Sequence, residues 1–178
     1  MALCRPFSCA AARFDAGPVV RIADNLRAMK ATPTPADADC LTLLPGADFH
    51  DAFVLDLGET VDAPTAAARA FAGMPGWAAG LLKLRNLIVA PLGLKTTADA
   101  GPAFGMFPVV QSGPERVVLG FDDWHLNFRV VIDVVAGRRV TLTTLVKRNN
   151  WLGRIYLAVV MPFHKLIAPA TLSRVAPR

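Results

Sequence analysis

Residues 122–148 read DDWHLNFRVVIDVVAGRRVTLTTLVKR. From Trp124 to Ile132 every second residue is apolar (Trp124, Leu126, Phe128, Val130, Ile132), and Asp123, His125, Asn127 and Arg129 alternate with them. A period of two marks a β-strand with unlike faces. The stretch RVTLTTLVK at 139–147 is a second strand, so the two form a hairpin whose register can be argued. A three-residue loop of Ala136, Gly137 and Arg138 sets Val134 against Val140, Ile132 against Leu142, Val130 against Thr144 and Phe128 against Val146, keeping apolar side chains on one face. A two-residue loop sets Ile132 on Thr141 and Val130 on Thr143, so the longer loop is expected. On the opposite face it brings His125 near Asn149, Asn127 near Lys147 and Arg129 near Leu145, a polar cluster with Asp123 at its end.

Working outward, FGMFPVVQ (104–111) and ERVVLGFD (115–122) are two more strands with turn-like breaks, which predicts an antiparallel meander; Pro108 limits the first to an edge or a bulge. Upstream, DAFVLDLG from Asp51 reads as a strand ending at Gly58. A short helix at 62–73 has Pro64 near its start and Gly73 past its end, and WAAGLLKLRNLIVAPLGL, beginning at Trp77, predicts a second. Residues 1–45 hold little periodicity and include TPTPADADC, whose prolines oppose helix and central strand; they read as an irregular arm before a domain at 46–178. Downstream, Asn149 or Asn150 caps a long helix that is apolar on nearly all sides from Ile155 to Phe163 and should need more than one neighbour to cover it. Pro162 should kink it by removing the backbone bond to Ala158.

With 178 residues, 53% of them hydrophobic, the chain suits one core. No eighteen-residue uninterrupted apolar run is present, so no transmembrane segment is expected, nor is export from the residues at the start. Cys4, Cys9 and Cys40 lack metal-ligand spacing and read as reduced thiols of a cytoplasmic protein. The net charge is +5, unevenly spread: eight of the 19 Lys and Arg follow residue 133, and none of the 14 Asp and Glu do. That cationic third suits an anionic ligand, an acidic partner or phospholipid head groups. Nucleic acid is not expected, since no basic run with interleaved aromatics occurs.

Several stretches together resemble one bacterial family. They are DFHDAF (48–53), LRNLIV (84–89), GLK (93–95), FPVVQSGPERVVLGFDDWHLNFRV (107–130) and LTTLVKRNNWLGRIYLAVVMPFHKLI (142–167). The combination of Asp-x-His-Leu ending in Phe-Arg, then Asn, Gly-Arg-x-Tyr and Pro-Phe-His is similar to the family known as domain of unknown function 2867. The resemblance covers about residues 45–172. It implies an α+β helix-grip, START-like fold, a curved antiparallel sheet gripping the long C-terminal helix, related to polyketide cyclases and lipid-transfer proteins. It also implies an occasional link to a short-chain dehydrogenase, hence a reductase as partner. With four strands between the second helix and the last one, against six in larger relatives, a shallower sheet is expected.

The polar strand face then offers two readings: a solvated outer wall, or a cavity wall in which His125 exchanges protons, Asp123 orients it and Arg129 holds an anionic or enolate oxygen. Arg85, Lys147, Asn149, Tyr156 and His164 complete the candidate ligand-binding set. His50, His125 and His164 fall on three elements without metal-ligand spacing, so no metal is expected; nor is any cofactor, and no catalytic residue is assigned. The expected function is binding of an apolar or amphipathic small molecule, with cyclase-like acid-base chemistry as an extension and a homodimer as a further association. The alternative is a noncatalytic interaction domain that docks an acidic partner or a membrane surface through its basic C-terminal third.

Overall fold

The computed structural model describes residues 30–72, 102–105 and 107–177. The helix expected from Trp77 onward, Arg85, Cys4 and Cys9 lie outside the described residues. In chain order the elements are β1 (Thr32–Thr34), α1 (Ala38–Thr42), β2 (Phe49–Asp56), α2 (Ala63–Phe71), β3 (Ala103–Phe104), β4 (Phe107–Ser112), β5 (Arg116–Asp122), β6 (Leu126–Val135), β7 (Arg139–Arg148) and α3 (Trp151–Leu172), which ends in a 3-10 turn at Ser173–Val175. The strands form a seven-stranded antiparallel sheet in the order β1-β2-β7-β6-β5-β4-β3. It is curved and open, and with α3 lying against it the fold is α+β, of helix-grip form.

The expected register of the β6–β7 hairpin holds: Val134 pairs with Val140, Ile132 with Leu142, Val130 with Thr144 and Phe128 with Val146. Its loop is the three residues Ala136 to Arg138, with Ala136 at φ 52° and Gly137 at φ 66°. Glycine adopts that left-handed backbone freely, whereas Ala136 carries a steric penalty of roughly 1 kcal/mol. β7 also pairs with β2, placing Phe49 opposite Val146, Asp51 opposite Thr144 and Phe53 opposite Leu142. This long-range closure joins the first long strand to the last.

Side chains of Phe53, Leu55, Val117, Leu119, Val130, Ile132, Val140 and Leu142 make the inner face, the main core. Onto it pack the buried alanines of α2 (Ala63, Ala66, Ala67, Ala70) and, from the chain end, Ala168, Leu172 and Val175. Asp62 caps α2 by accepting from Thr65 N, 2.8 Å away, and Pro64 lies in its first turn, where a missing N–H costs nothing. On the outer face α1 covers Val118 and Val131 with Cys40.

Two local readings change. Within the stretch expected to be an irregular arm, residues 32–42 form an edge strand and a short helix. Pro33 is tolerated because β1 pairs on one side only, and Asp37 caps α1 by accepting from Asp39 N. The single strand expected at 104–111 is two, reversed at Gly105 (φ 64°), and a register shift between Val109 and Gln111 follows Pro108.

Candidate functional site

The polar row of the opening stretch divides between two surroundings. Asn127 and Arg129 lie on the outer face, opposite Lys147 and Leu145. The Arg129 guanidinium is held fork-to-fork by Asp122, at 2.8 and 3.0 Å. That hydrogen bond holds the Asp122 carboxyl below the usual carboxylate range, against a smaller opposing effect of burial. Asp123 and His125 precede β6 and turn inward. His125 Nδ1 is 3.5 Å from Asp123 Oδ2, with side chains 1% and 7% exposed, and the imidazole meets the edge of the Tyr156 ring.

Around this pair the amides knit the start of α3 to the start of β6. Asn149 Nδ2 donates to Asp123 O and to Asn127 Oδ1, at 2.8 and 2.9 Å. Asn150 Nδ2 donates to Trp124 O, while its Oδ1 caps α3 by accepting from Leu152 N and Gly153 N. Gly153 sits so close that a Cβ there would lie 2.2 Å from His125 O. The Gly-Arg-x-Tyr and Asp-x-His-Leu pieces are thus two halves of one joint: glycine for backbone contact, tyrosine against the buried imidazole.

A second His–carboxylate pair lies at the seam between β2 and the middle of α3. His164 Nε2 is 2.9 and 3.1 Å from the two carboxylate oxygens of Asp51. An ionised carboxylate only accepts, so Nε2 carries the proton. The other ring nitrogen makes no hydrogen bond among the described residues. Here the side chains are 19% and 21% exposed. Phe49 stacks edge-on against His164 at 6.1 Å. Across the ladder from Asp51, Thr144 has a buried hydroxyl without a hydrogen-bond partner among the described residues. Such groups are uncommon in folded proteins.

Asp51 also borders the sheet edge. Pairing of β1 with β2 stops at Thr34 and Ala52. Beyond it an open depression of about 640 Å³ is bounded by Pro33, Pro35, Asp51, Phe53 and, from α3, Lys165. A third polar group lies under α1, where Asp133 accepts from Arg116 and from the Cys40 thiol. Burial, then the adjoining carboxylate, pushes that thiol up to about 12, which makes it a poor nucleophile.

Of the residues singled out from sequence, the structure gathers Asp123, His125, Asn127, Asn149 and Tyr156 at the α3 joint, leaves Arg129 and Lys147 on the outer face, and sets His164 at the separate seam. Asp51 and Thr144 enter the sequence reading only as strand residues, not as candidate site residues. A signal for both was present: each interrupts an alternation whose neighbours two positions away are apolar or aromatic, Phe49 and Phe53 around Asp51, Leu142 and Val146 around Thr144. No group of three or more His, Cys, Asp or Glu suited to a metal occurs among the described residues.

A curved sheet gripping one long helix, with a polar seam inside an apolar layer, defines a helix-grip domain. The chain belongs to the family described as protein of unknown function DUF2867, whose model matches residues 43–171. No curated protein and no solved structure matches it.

Proposed function

We propose that this chain is a binding domain for an apolar or amphipathic small molecule. The ligand's polar end would engage His164, Asp51 and Thr144, and its apolar part would lie along Phe49 and Phe53. The observation that carries this reading is the Asp51–His164 pair. A half-open His–carboxylate pair with one imidazole nitrogen and a nearby hydroxyl uncommitted among the described residues supplies the few polar groups that a ligand site needs within apolar walls. Through that nitrogen the same pair can take a proton from the carbon beside a ligand carbonyl and, as an imidazolium, return it to the enolate oxygen, which is the acid-base extension. The free thiol of Cys40 suits a reducing compartment such as the cytoplasm.

The test is native mass spectrometry of the purified full chain, with titration of the fluorescent apolar anion anilinonaphthalene sulfonate. A retained small molecule, lost from Asp51→Asn and His164→Ala, together with weaker probe binding in both, is the expected result. A protein free of ligand that binds the probe equally well in wild type and both variants would end the proposal.

A further inference from the structure

The helix α3 presents its more apolar side to solvent. Trp151, Ile155, Val159, Phe163 and Leu166 are each between 39% and 71% exposed. At 100° per residue they fall within an arc of about 120°. The opposite side, against the sheet, carries Gly153, Leu157, His164 and Ala168. A surface helix ordinarily shows the reverse arrangement.

The helix and its 3-10 extension, Trp151–Val175, are long and apolar enough by length and composition to cross a bilayer, yet only 17% of the apolar window is buried within the fold. Crossing would require stripping it from the sheet, where His164 bonds Asp51 and Gly153 rests on the His125 carbonyl. A helix held flat by one face can offer only the other, and that geometry lies in the plane of an interface.

The charges indicate which interface. Arg154 and Lys165 are exposed, in line along one edge of the stripe, and make no ion pair among the described residues. No Asp or Glu occurs after residue 133 to repel an anionic surface. A second copy meeting this stripe with its own would set like cations together, since α3 itself carries no carboxylate. We infer that the outer face of α3 docks the domain on an anionic phospholipid surface, with Trp151, Ile155, Val159, Phe163 and Leu166 in the acyl boundary and Arg154 and Lys165 at the head groups.

Co-sedimentation of the full chain with vesicles of phosphatidylcholine, alone or with added phosphatidylglycerol, tests this. Wild type should pellet only with the anionic vesicles and be released by salt, with a blue shift of tryptophan emission that Trp151→Phe diminishes. A Val159→Gln, Phe163→Gln, Leu166→Gln variant should remain in the supernatant. Arg154→Glu with Lys165→Glu should weaken binding by at least about tenfold while thermal unfolding is unchanged. Wild type that ignores anionic vesicles, or binding indifferent to both sets of substitutions, overturns the inference. So does a solution dimer that the triple variant dissociates, because a second copy would then own the face.

Discussion

The two His–Asp pairs share α3 and differ in almost everything else. His125 and Asp123, at the amino end, are nearly closed to water, and the backbone and amide bonds around them bind helix to sheet. His164, in the middle of the helix, and Asp51, on β2, meet at 2.9 Å with about a fifth of each side chain exposed, and a threonine hydroxyl without a partner among the described residues lies across the ladder from Asp51. One kind of chemistry therefore does two jobs. Where neighbouring atoms surround an imidazole it sets architecture; where a nitrogen and a path to solvent remain, it can meet a ligand.

The sharpest way to break this contrast is Gly153→Ala. The added methyl would lie 2.2 Å from His125 O, so the first turn of α3 must lift off β6. A loss of about 3 kcal/mol or more is expected in denaturant unfolding. A loss under about 0.5 kcal/mol would mean that the joint is not rigid.

Next comes the pair of truncations. His125→Ala should cost about 2–3 kcal/mol, as a large buried side chain packed on Tyr156 is removed. His164→Ala should cost about 1 kcal/mol or less while weakening ligand retention, since its pair is partly exposed. Unfolding curves that reverse this order would reverse the assignment of the two roles.

The outer face supplies smaller effects that sharpen the scale. Arg129 holds the Asp122 carboxyl below its ordinary range, so the stabilisation is present above the unfolded carboxylate pKa and is lost as pH falls through the depressed folded value. Asp122→Asn should flatten the acid limb of stability against pH, at a neutral-pH cost under about 1 kcal/mol because Asp122 is largely exposed. An unchanged acid limb would show that the fork bond does not persist in solution.

Smallest at neutral pH is the Cys40 thiol. With its ionisation pushed up to about 12, it should resist iodoacetamide at mildly alkaline pH in a Cys4→Ser, Cys9→Ser background. The neutral thiol's contribution to stability is complete below the unfolded thiol pKa and fades as pH rises toward the folded value. Rapid alkylation of the folded protein would place Cys40 in a more open setting than the layer under α1.

Much of the sheet was legible because side-chain alternation and loop length act locally. Ile132 faces Leu142 for the reason argued from sequence, that apolar partners must share a face. The edge strand at Thr32–Thr34 was not legible, because three residues containing a proline have no periodicity and become a strand only by borrowing the free edge of β2. The seam was half legible. His164 stood out as a titratable residue in an apolar helix, but its partner lies 113 positions away, across a pairing that no local pattern reveals.

What the sequence determined by itself was the period-two meander, the three-residue hairpin loop, the asparagine cap of a long apolar helix and the gathering of cations without acids after residue 133. Tertiary structure alone decided which carboxylate each histidine meets and which face of that helix stays in water. Those outcomes depend on where a helix lands on a sheet built from distant strands, and burial is a property of that docking rather than of any residue in it.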